Sequence, residues 1–337
     1  MDTRQVVIDT TTHTEVVQSL SEKLRAFYVF PDVAEQICTC LQTHLEDGEY
    51  ADITEGEFLA LALTMHMQEV KQDEHLWVRW HPEPLPDQDG PLRQNQEWVD
   101  EQRQGAELEN YGFHKVERLP GNVGYVDIRY FHRPSWGGDT AVAAMSFLAN
   151  ASALIIDLRQ CTGGYPSMVA LISSYLFGEE PVHLNSVYWR DDDVTQQYWT
   201  LPYIPGKRFN DKPVCVLISR DTFSGGEEFA YNLQARQRAT LVGEKTDGGA
   251  HPGASYRLHP HFEVFIPVGR AINPVTNKNW ESSGVVPDIP ASQEQALKVA
   301  YRMALTSIIE SIGEPASGPF GLLLEEAQAT LEDIDKK

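Results

Sequence analysis

Leu154-Ile155-Ile156-Asp157-Leu158-Arg159-Gln160-Cys161-Thr162-Gly163-Gly164 is the stretch on which the fold reading turns. An apolar run broken only by Asp157 leads within a few residues into paired glycines. A run this short is too brief for a buried helix and reads as a strand covered on both faces. The pattern recurs downstream. Val214-Cys215-Val216-Leu217-Ile218 leads into Ser219-Arg220-Asp221-Thr222-Phe223-Ser224-Gly225-Gly226-Glu227-Glu228. Working outward, Val123-Gly124-Tyr125-Val126-Asp127-Ile128 and Thr240-Leu241-Val242 read as further strands. Helical patterns fall between them, from Thr140 to Leu148, Ser167 to Phe177 and about Ser224 to Gln234. Apolar strands alternating with helices predict a mainly parallel α/β sheet covered on both faces. Arg257 to Val268 predicts an antiparallel hairpin, and a last helix runs from Gln293 to about Ile309.

The N-terminal part has a different period. Val16, Val17, Leu20, Leu24, Phe27 and Tyr28 repeat at helix spacing until Pro31. Val33, Ile37, Cys40, Leu41 and His44 mark a second helix. A third opens at Thr54, with Glu57 three residues on as in a capping box. His13 and His44 fall on the exposed side of these patterns. Leu76 to Trp80 is strand-like, the residues from His81 to Pro91 form a Pro/Asp loop, and Glu97 to Leu108 reads as a surface helix. The expected layout is a helical domain over 1–80, a connecting segment over 81–118, an α/β core over 119–312 and an acidic tail over 313–337.

Charge narrows the partners. Among 337 residues, 27 Lys and Arg face 49 Asp and Glu, a net charge of −22. Such a surface repels phosphate backbones and excludes nucleic acid as a natural partner. No apolar run reaches the ~18 residues of a membrane span. The start lacks a basic-then-apolar pattern, which predicts a cytoplasmic location. Four cysteines are too few for a disulfide scaffold, so reduced thiols are expected.

The glycine turns are where chemistry can sit. Ligands of open α/β sheets lie beyond the carboxyl ends of strands. Ser224 would start a helix there, where free N–H groups favour a developing oxyanion. Gly225 supplies the neighbouring amide, and Gly163 or Gly164 a second. Ser224-x-x-Glu227 equally fits a capping box, in which the serine only caps the helix. A serine nucleophile needs a base, and His75 and His251 are the two histidines at suitable junctions. His259-x-His261 has metal-binding spacing, but no third ligand is placed near it, and neither metal nor cofactor is expected.

These residues, taken in order, resemble the tail-specific, or C-terminal processing, serine peptidases. The likeness is to the branch holding the tricorn protease core and the modules of interphotoreceptor retinoid-binding protein. It runs from about His75 to Ile289 and rests on ordered blocks. The blocks are Asp73-Glu74-His75-Leu76-Trp77-Val78-Arg79, Gly124-Tyr125-Val126-Asp127-Ile128, Asp157-Leu158-Arg159 with Gly163-Gly164, and Thr222-Phe223-Ser224-Gly225-Gly226-Glu227-Glu228-Phe229-Ala230. Val242-Gly243-Glu244-Lys245-Thr246 and Trp280-Glu281-Ser282-Ser283-Gly284-Val285-Val286-Pro287-Asp288 complete them.

The resemblance implies a Clp-protease/crotonase-like core that binds an extended peptide by strand addition. It implies Ser224 as nucleophile, His75 as general base and Glu281 as a distal acid. It implies Gly225, Gly163 and Gly164 as oxyanion amides. The residue before His75 is Glu74, where the family places a relay serine. The lysine base of the bacterial branch falls on Gly249, and Lys245 is the only lysine nearby. No PDZ module fits into the connecting segment, which is shorter than an ordinary domain. The expected function is a serine endopeptidase acting on peptides or unfolded segments, with a homo-oligomer as the further assembly to consider. The competing reading is a non-catalytic carrier of a hydrophobic, retinoid- or fatty-acid-like ligand on the same fold. A pure carrier has no need of a base, which favours the enzyme.

Overall fold

The computed structural model describes residues 8–88, 90–92, 96–313 and 317–336. In chain order its helices and strands are α1 (Thr10–Phe27), α2 (Pro31–Glu46), α3 (Gly56–Val70), β1 (Trp77–Trp80), α4 (Gln96–Leu108), β2 (Phe113–Leu119), β3 (Val123–Ile128), α5 (Pro134–Leu148), β4 (Ala153–Asp157) and α6 (Pro166–Ser174). There follow β5 (His183–Trp189), β6 (Val194–Trp199), β7 (Val214–Ile218), α7 (Gly225–Ala235), β8 (Thr240–Gly243), β9 (Gly253–His259), β10 (Phe262–Pro267), β11 (Gly269–Ile272), β12 (Ile289–Pro290), α8 (Gln293–Ile312) and α9 (Gly318–Lys336). The chain divides into two units. The first holds residues 1–100, 187–196 and 249–272, and the second holds the remainder.

In the first unit, helix-period apolar residues become a shared core. α1 buries Val16, Val17, Leu20 and Leu24, and Asp9 caps it by accepting the Thr12 N–H at 2.9 Å. α2 starts on Pro31, whose missing N–H costs nothing at a helix start. The third helix begins at Gly56 after Glu55, so the Thr54/Glu57 capping box does not form. The helix start packs tightly on β1: a Cβ on Gly56 would lie 2.1 Å from the Trp80 ring. His13 is buried, with Nε2 2.9 Å from the Ile53 carbonyl, against the expectation of an exposed position.

β1 pairs antiparallel with β10, and β10 with β9. Tyr256, Leu258, Phe262, Val264 and Ile266 join the helices in one core cluster. The 253–267 hairpin, read from sequence as part of the α/β core, thus lies in the first unit. Its apolar face completes the core that three short helices cannot close alone.

The second unit carries a six-stranded sheet of order β12–β8–β7–β4–β3–β2. β2 is antiparallel to β3, and every other neighbour is parallel. β4 and β7 are buried at every position, as their unbroken apolar runs require. Strands β3, β4, β7 and β8 follow one another across the sheet in one direction. Right-handed crossovers therefore place α5, α6 and α7 on one face. The other face (Val123, Tyr125, Ala153, Ile155, Cys215 and Leu217) packs on α8 through Ala296, Ala300, Ala304, Leu305 and Ile308. Residues 318–336, read from sequence within an acidic tail, form α9. That helix buries Leu324 and Ala327 against the same core.

Asp157, at the end of β4, accepts Tyr125 Oη at 2.7 Å. It also accepts Arg159 Nε and Nη2 at 2.9 and 2.6 Å. Arg159 Nη1 in turn donates to the Gln293 carbonyl at the start of α8, at 2.5 Å. The Asp-Leu-Arg motif is thus a brace that fixes the strand end carrying the glycine turn.

Candidate active site

Parallel strands end at one edge, so the loops after β3, β4 and β7 meet there. Side chains on the third loop stitch it to the second. Thr222 Oγ1 donates to the Leu158 carbonyl at 2.7 Å, and Ser219 Oγ donates to the Arg159 carbonyl at 2.6 Å. Phe223 N–H donates to the Cys161 carbonyl at 2.9 Å, and Phe131 N–H donates to that of Gly163 at 2.8 Å. Between these bonds the two glycine turns touch. A Cβ on Gly163 would lie 3.0 Å from Ser224 Cβ, and one on Gly225 would lie 2.8 Å from the Gly164 carbonyl oxygen. Gly163 and Gly164 have φ of 127° and 131°, a conformation that only glycine holds without strain. Buried Cys161 packs beneath this turn. Burial pushes its thiol up to about 12, so it is core and not nucleophile.

Ser224 sits at φ 50°, ψ −113°. An ordinary N-cap residue has extended backbone. A non-glycine residue in this region costs ~1–3 kcal/mol and persists only where its surroundings impose it. A strained serine on a sharp strand-to-helix turn is also the geometry that exposes a nucleophile at a sheet edge. Ser224 and Glu227 stand in capping-box positions, with Ser224 N–H donating to Glu227 Oε2 at 2.8 Å. That bond removes the Ser224 amide from any oxyanion hole. The amides left to serve are those of Gly225, Gly163 and Gly164, none of which donates to a backbone carbonyl among the described residues.

Glu227 links the serine turn to the Glu281 loop. Its Oε1 accepts Thr246 Oγ1 at 2.5 Å, and Thr246 Oγ1 receives the Val285 N–H at 2.7 Å. Ser282 N–H donates to the Gly248 carbonyl and Gly284 N–H to that of Trp280, both at 2.9 Å. Glu281 is half-buried in this loop. The next residue of α7, Glu228, is fully enclosed beside Asn185 and Asn232. Burial pushes its carboxyl up to about 8, which leaves it a neutral acid at pH 7.

The two histidines belong to the first unit, where Asp73 organises both. Asp73 is fully buried at the turn before β1. Its Oδ2 lies 2.8 Å from His251 Nδ1 and accepts Tyr28 Oη at 3.0 Å, while Oδ1 accepts the His75 N–H at 3.2 Å. The turn is locked by Gln68, whose Nε2 donates to the carbonyls of Asp73 and Leu76 at 2.6 and 2.9 Å. A carboxylate on Nδ1 fixes the tautomer with Nε2 as acceptor, the form in which histidine acts as a base. Burial pushes His75 down to about 4, below the ordinary histidine value.

Ser224, Gly225, Gly163 and Gly164 are therefore brought together, and Glu281 lies in a loop bonded to the same turn. His75 and His251 are brought together with Asp73. Lys245 is exposed on the loop after β8. No role for Asp73 follows from local sequence, because the histidine it holds lies 178 residues away.

A family model described as Peptidase family S41 matches residues 122–291, half of the chain. A second, described as the N-terminal domain of Peptidase_S41 in eukaryotic IRBP, matches residues 2–111. The chain is 28% identical over 170 residues to a carboxyl-terminal-processing protease of Synechocystis, covering 50% of this chain and 38% of that protein. It is 26% identical over 206 residues to the chloroplastic carboxyl-terminal-processing peptidase 1 of Arabidopsis thaliana, covering 60% and 40%. The chain thus spans about two fifths of the length of these curated relatives. Among solved structures it shares its fold with a Parabacteroides merdae protein (TM-score 0.60, 17% identity, 91% and 99% of the two chains). It also shares it with the tricorn protease (TM-score 0.52, 13% identity, 96% and 37%). The chain belongs to peptidase family S41.

Proposed function

We propose that this chain is a serine endopeptidase that hydrolyses extended peptides or unfolded protein segments. The observation that carries the reading is the strained backbone of Ser224, held against Gly163 with the Gly225 amide following. Ser224 Oγ attacks the scissile carbonyl carbon as a histidine takes its proton. The oxygen that becomes negative is received by the amides of Gly225 and of Gly163 or Gly164. The protonated histidine then passes its proton to the leaving amine, and water hydrolyses the acyl-enzyme by the same steps. His75 is the base in this reading, and Glu281 steadies it from a distance. Burial keeps the His75 imidazole neutral throughout the neutral range, the protonation state a general base needs, and at the same time lowers its basicity. His251 is the second base to test, because Asp73 already orients it.

Glycine turns without side chains leave main-chain groups open to an extended substrate, which suits recognition by strand addition. The net charge of −22 favours faster capture of basic peptides, an effect that salt screens. The test is hydrolysis of quenched fluorescent peptides and of an unfolded protein by wild type and Ser224→Ala. The reading expects a rate loss of several orders of magnitude with the fold intact. Cleavage by the variant near the wild-type rate overturns it.

A further inference from the structure

Away from the glycine turns, the facing ends of α2 and α3 gather ligating side chains that the peptidase chemistry does not use. His44 is on the last turn of α2, Glu49 just beyond it, and His66 and Glu69 near the end of α3. The imidazoles of His44 and His66 stack with centroids 3.6 Å apart. His44 Nδ1 lies 2.9 Å from Glu49 Oε2, and His66 Nε2 lies 3.9 Å from the same oxygen. The three donor atoms fall within 4.8 Å of one another. Ligand atoms around tetrahedral zinc at ~2.0–2.1 Å sit roughly 3.3 Å apart. The two nitrogen–oxygen spacings bracket that value, and because each imidazole ligates in its own plane, one ring must turn out of the stack for both nitrogens to face the ion.

We propose that a zinc-class divalent cation binds between α2 and α3, held by His44 Nδ1, His66 Nε2 and Glu49, with solvent as the fourth ligand. Two imidazoles and one carboxylate suit zinc and its borderline neighbours better than magnesium or calcium, which prefer all-oxygen shells. The surroundings are those of a metal ligand set. Tyr50 Oη lies 2.8 Å from His66 Nδ1, which fixes the ring and leaves Nε2 facing Glu49. Glu49 is itself pinned, its N–H donating to the His44 carbonyl at 3.1 Å. Glu69 Oε2 lies 3.8 Å from His44 Nε2, and Cys40 shares that side of the ring. Those two residues form the competing donor set.

The test uses the full chain, stripped with chelator and titrated with zinc chloride by calorimetry, with melting curves alongside. It does not depend on the peptidase reading. One saturable equivalent per chain is expected, with a melting temperature raised by zinc. His44→Gln and His66→Gln should each weaken binding at least tenfold and melt as wild type does in chelator. Glu49→Gln, at a half-exposed position, serves if either variant fails to fold. A His259→Gln/His261→Gln variant should bind normally. Absence of saturable binding, or binding retained in the His44 and His66 variants, overturns the proposal. Loss on Cys40→Ser, with thiolate charge-transfer absorption in the cobalt-loaded protein, overturns this ligand set in favour of Cys40, His44 and Glu69.

Discussion

Replacing Ser224 with glycine should make the protein more stable than wild type, whereas replacing it with alanine should make it less stable. At φ 50°, ψ −113° the serine backbone stores ~1–3 kcal/mol, which a glycine relieves because it has no Cβ. Against that gain, glycine adds about 0.4–1 kcal/mol of unfolded-chain entropy and gives up a few tenths at the N-cap. The balance favours Ser224→Gly by about 1 kcal/mol. Alanine keeps the Cβ, and with it the strain, and loses the hydroxyl at a position where caps are worth ~1 kcal/mol. It should therefore fall about 1 kcal/mol below wild type. Denaturant midpoints at unchanged m-value read both differences. At an ordinary extended N-cap, Ser→Gly is slightly destabilising. A Ser224→Gly variant less stable than wild type would refute the argument that this turn is strained for function and reduce Ser224 to a cap.

Further outcomes follow from the same geometry. His75 is pushed down to about 4 when folded and titrates near ~6.5 when unfolded, so between those values only the unfolded chain takes up the proton. Its contribution is complete above pH 6.5 and is lost as pH falls toward 4. Wild type should then lose on the order of 3 kcal/mol more than His75→Gln across that window, and parallel stability profiles would contradict the burial of His75. Gly164→Ala places a Cβ 2.3 Å from the Phe131 carbonyl oxygen at φ 131°. It should cost about 2–4 kcal/mol and abolish hydrolysis, as read by melting and peptide assay. Lys245→Met should leave kcat/KM unchanged, while loss of the true base costs ~10²–10⁴-fold. If His75→Ala remains active and His251→Gln does not, the base is His251.

The parts of the fold legible in sequence were those whose burial is complete. β3, β4 and β7 emerge within a residue of their observed ends because they are almost wholly buried and their runs are apolar but for Asp127 and Asp157 near the strand ends. β2 was not seen, since Phe113–Leu119 is an edge strand whose charged residues face solvent. α9 reads as an acidic tail because Glu325, Glu326, Glu332, Asp333 and Asp335 are interleaved with the apolar residues that dock it. The placement of the 253–267 hairpin depends on Val264 and Ile266 closing a helical core far away in sequence.

At the site, Ser224 and its glycines were legible because backbone constraint leaves a local signature of glycine beside a strand end. The Asp73–His251 pair leaves none, and neither does the depression of His75, which comes from enclosure by residues outside its own segment. The buried Glu228 is likewise invisible from sequence, where a second glutamate in the first turn of a helix reads as ordinary dipole compensation.

The central claim is that Ser224 is an activated nucleophile. The direct measurement is labelling of the native chain with a fluorophosphonate, followed by peptide mapping of the adduct. One adduct per chain is expected on Ser224, formed only in the folded protein and lost in Ser224→Ala. A folded chain that stays unlabelled at Ser224, or that labels equally in the Ser224→Ala variant, would contradict it.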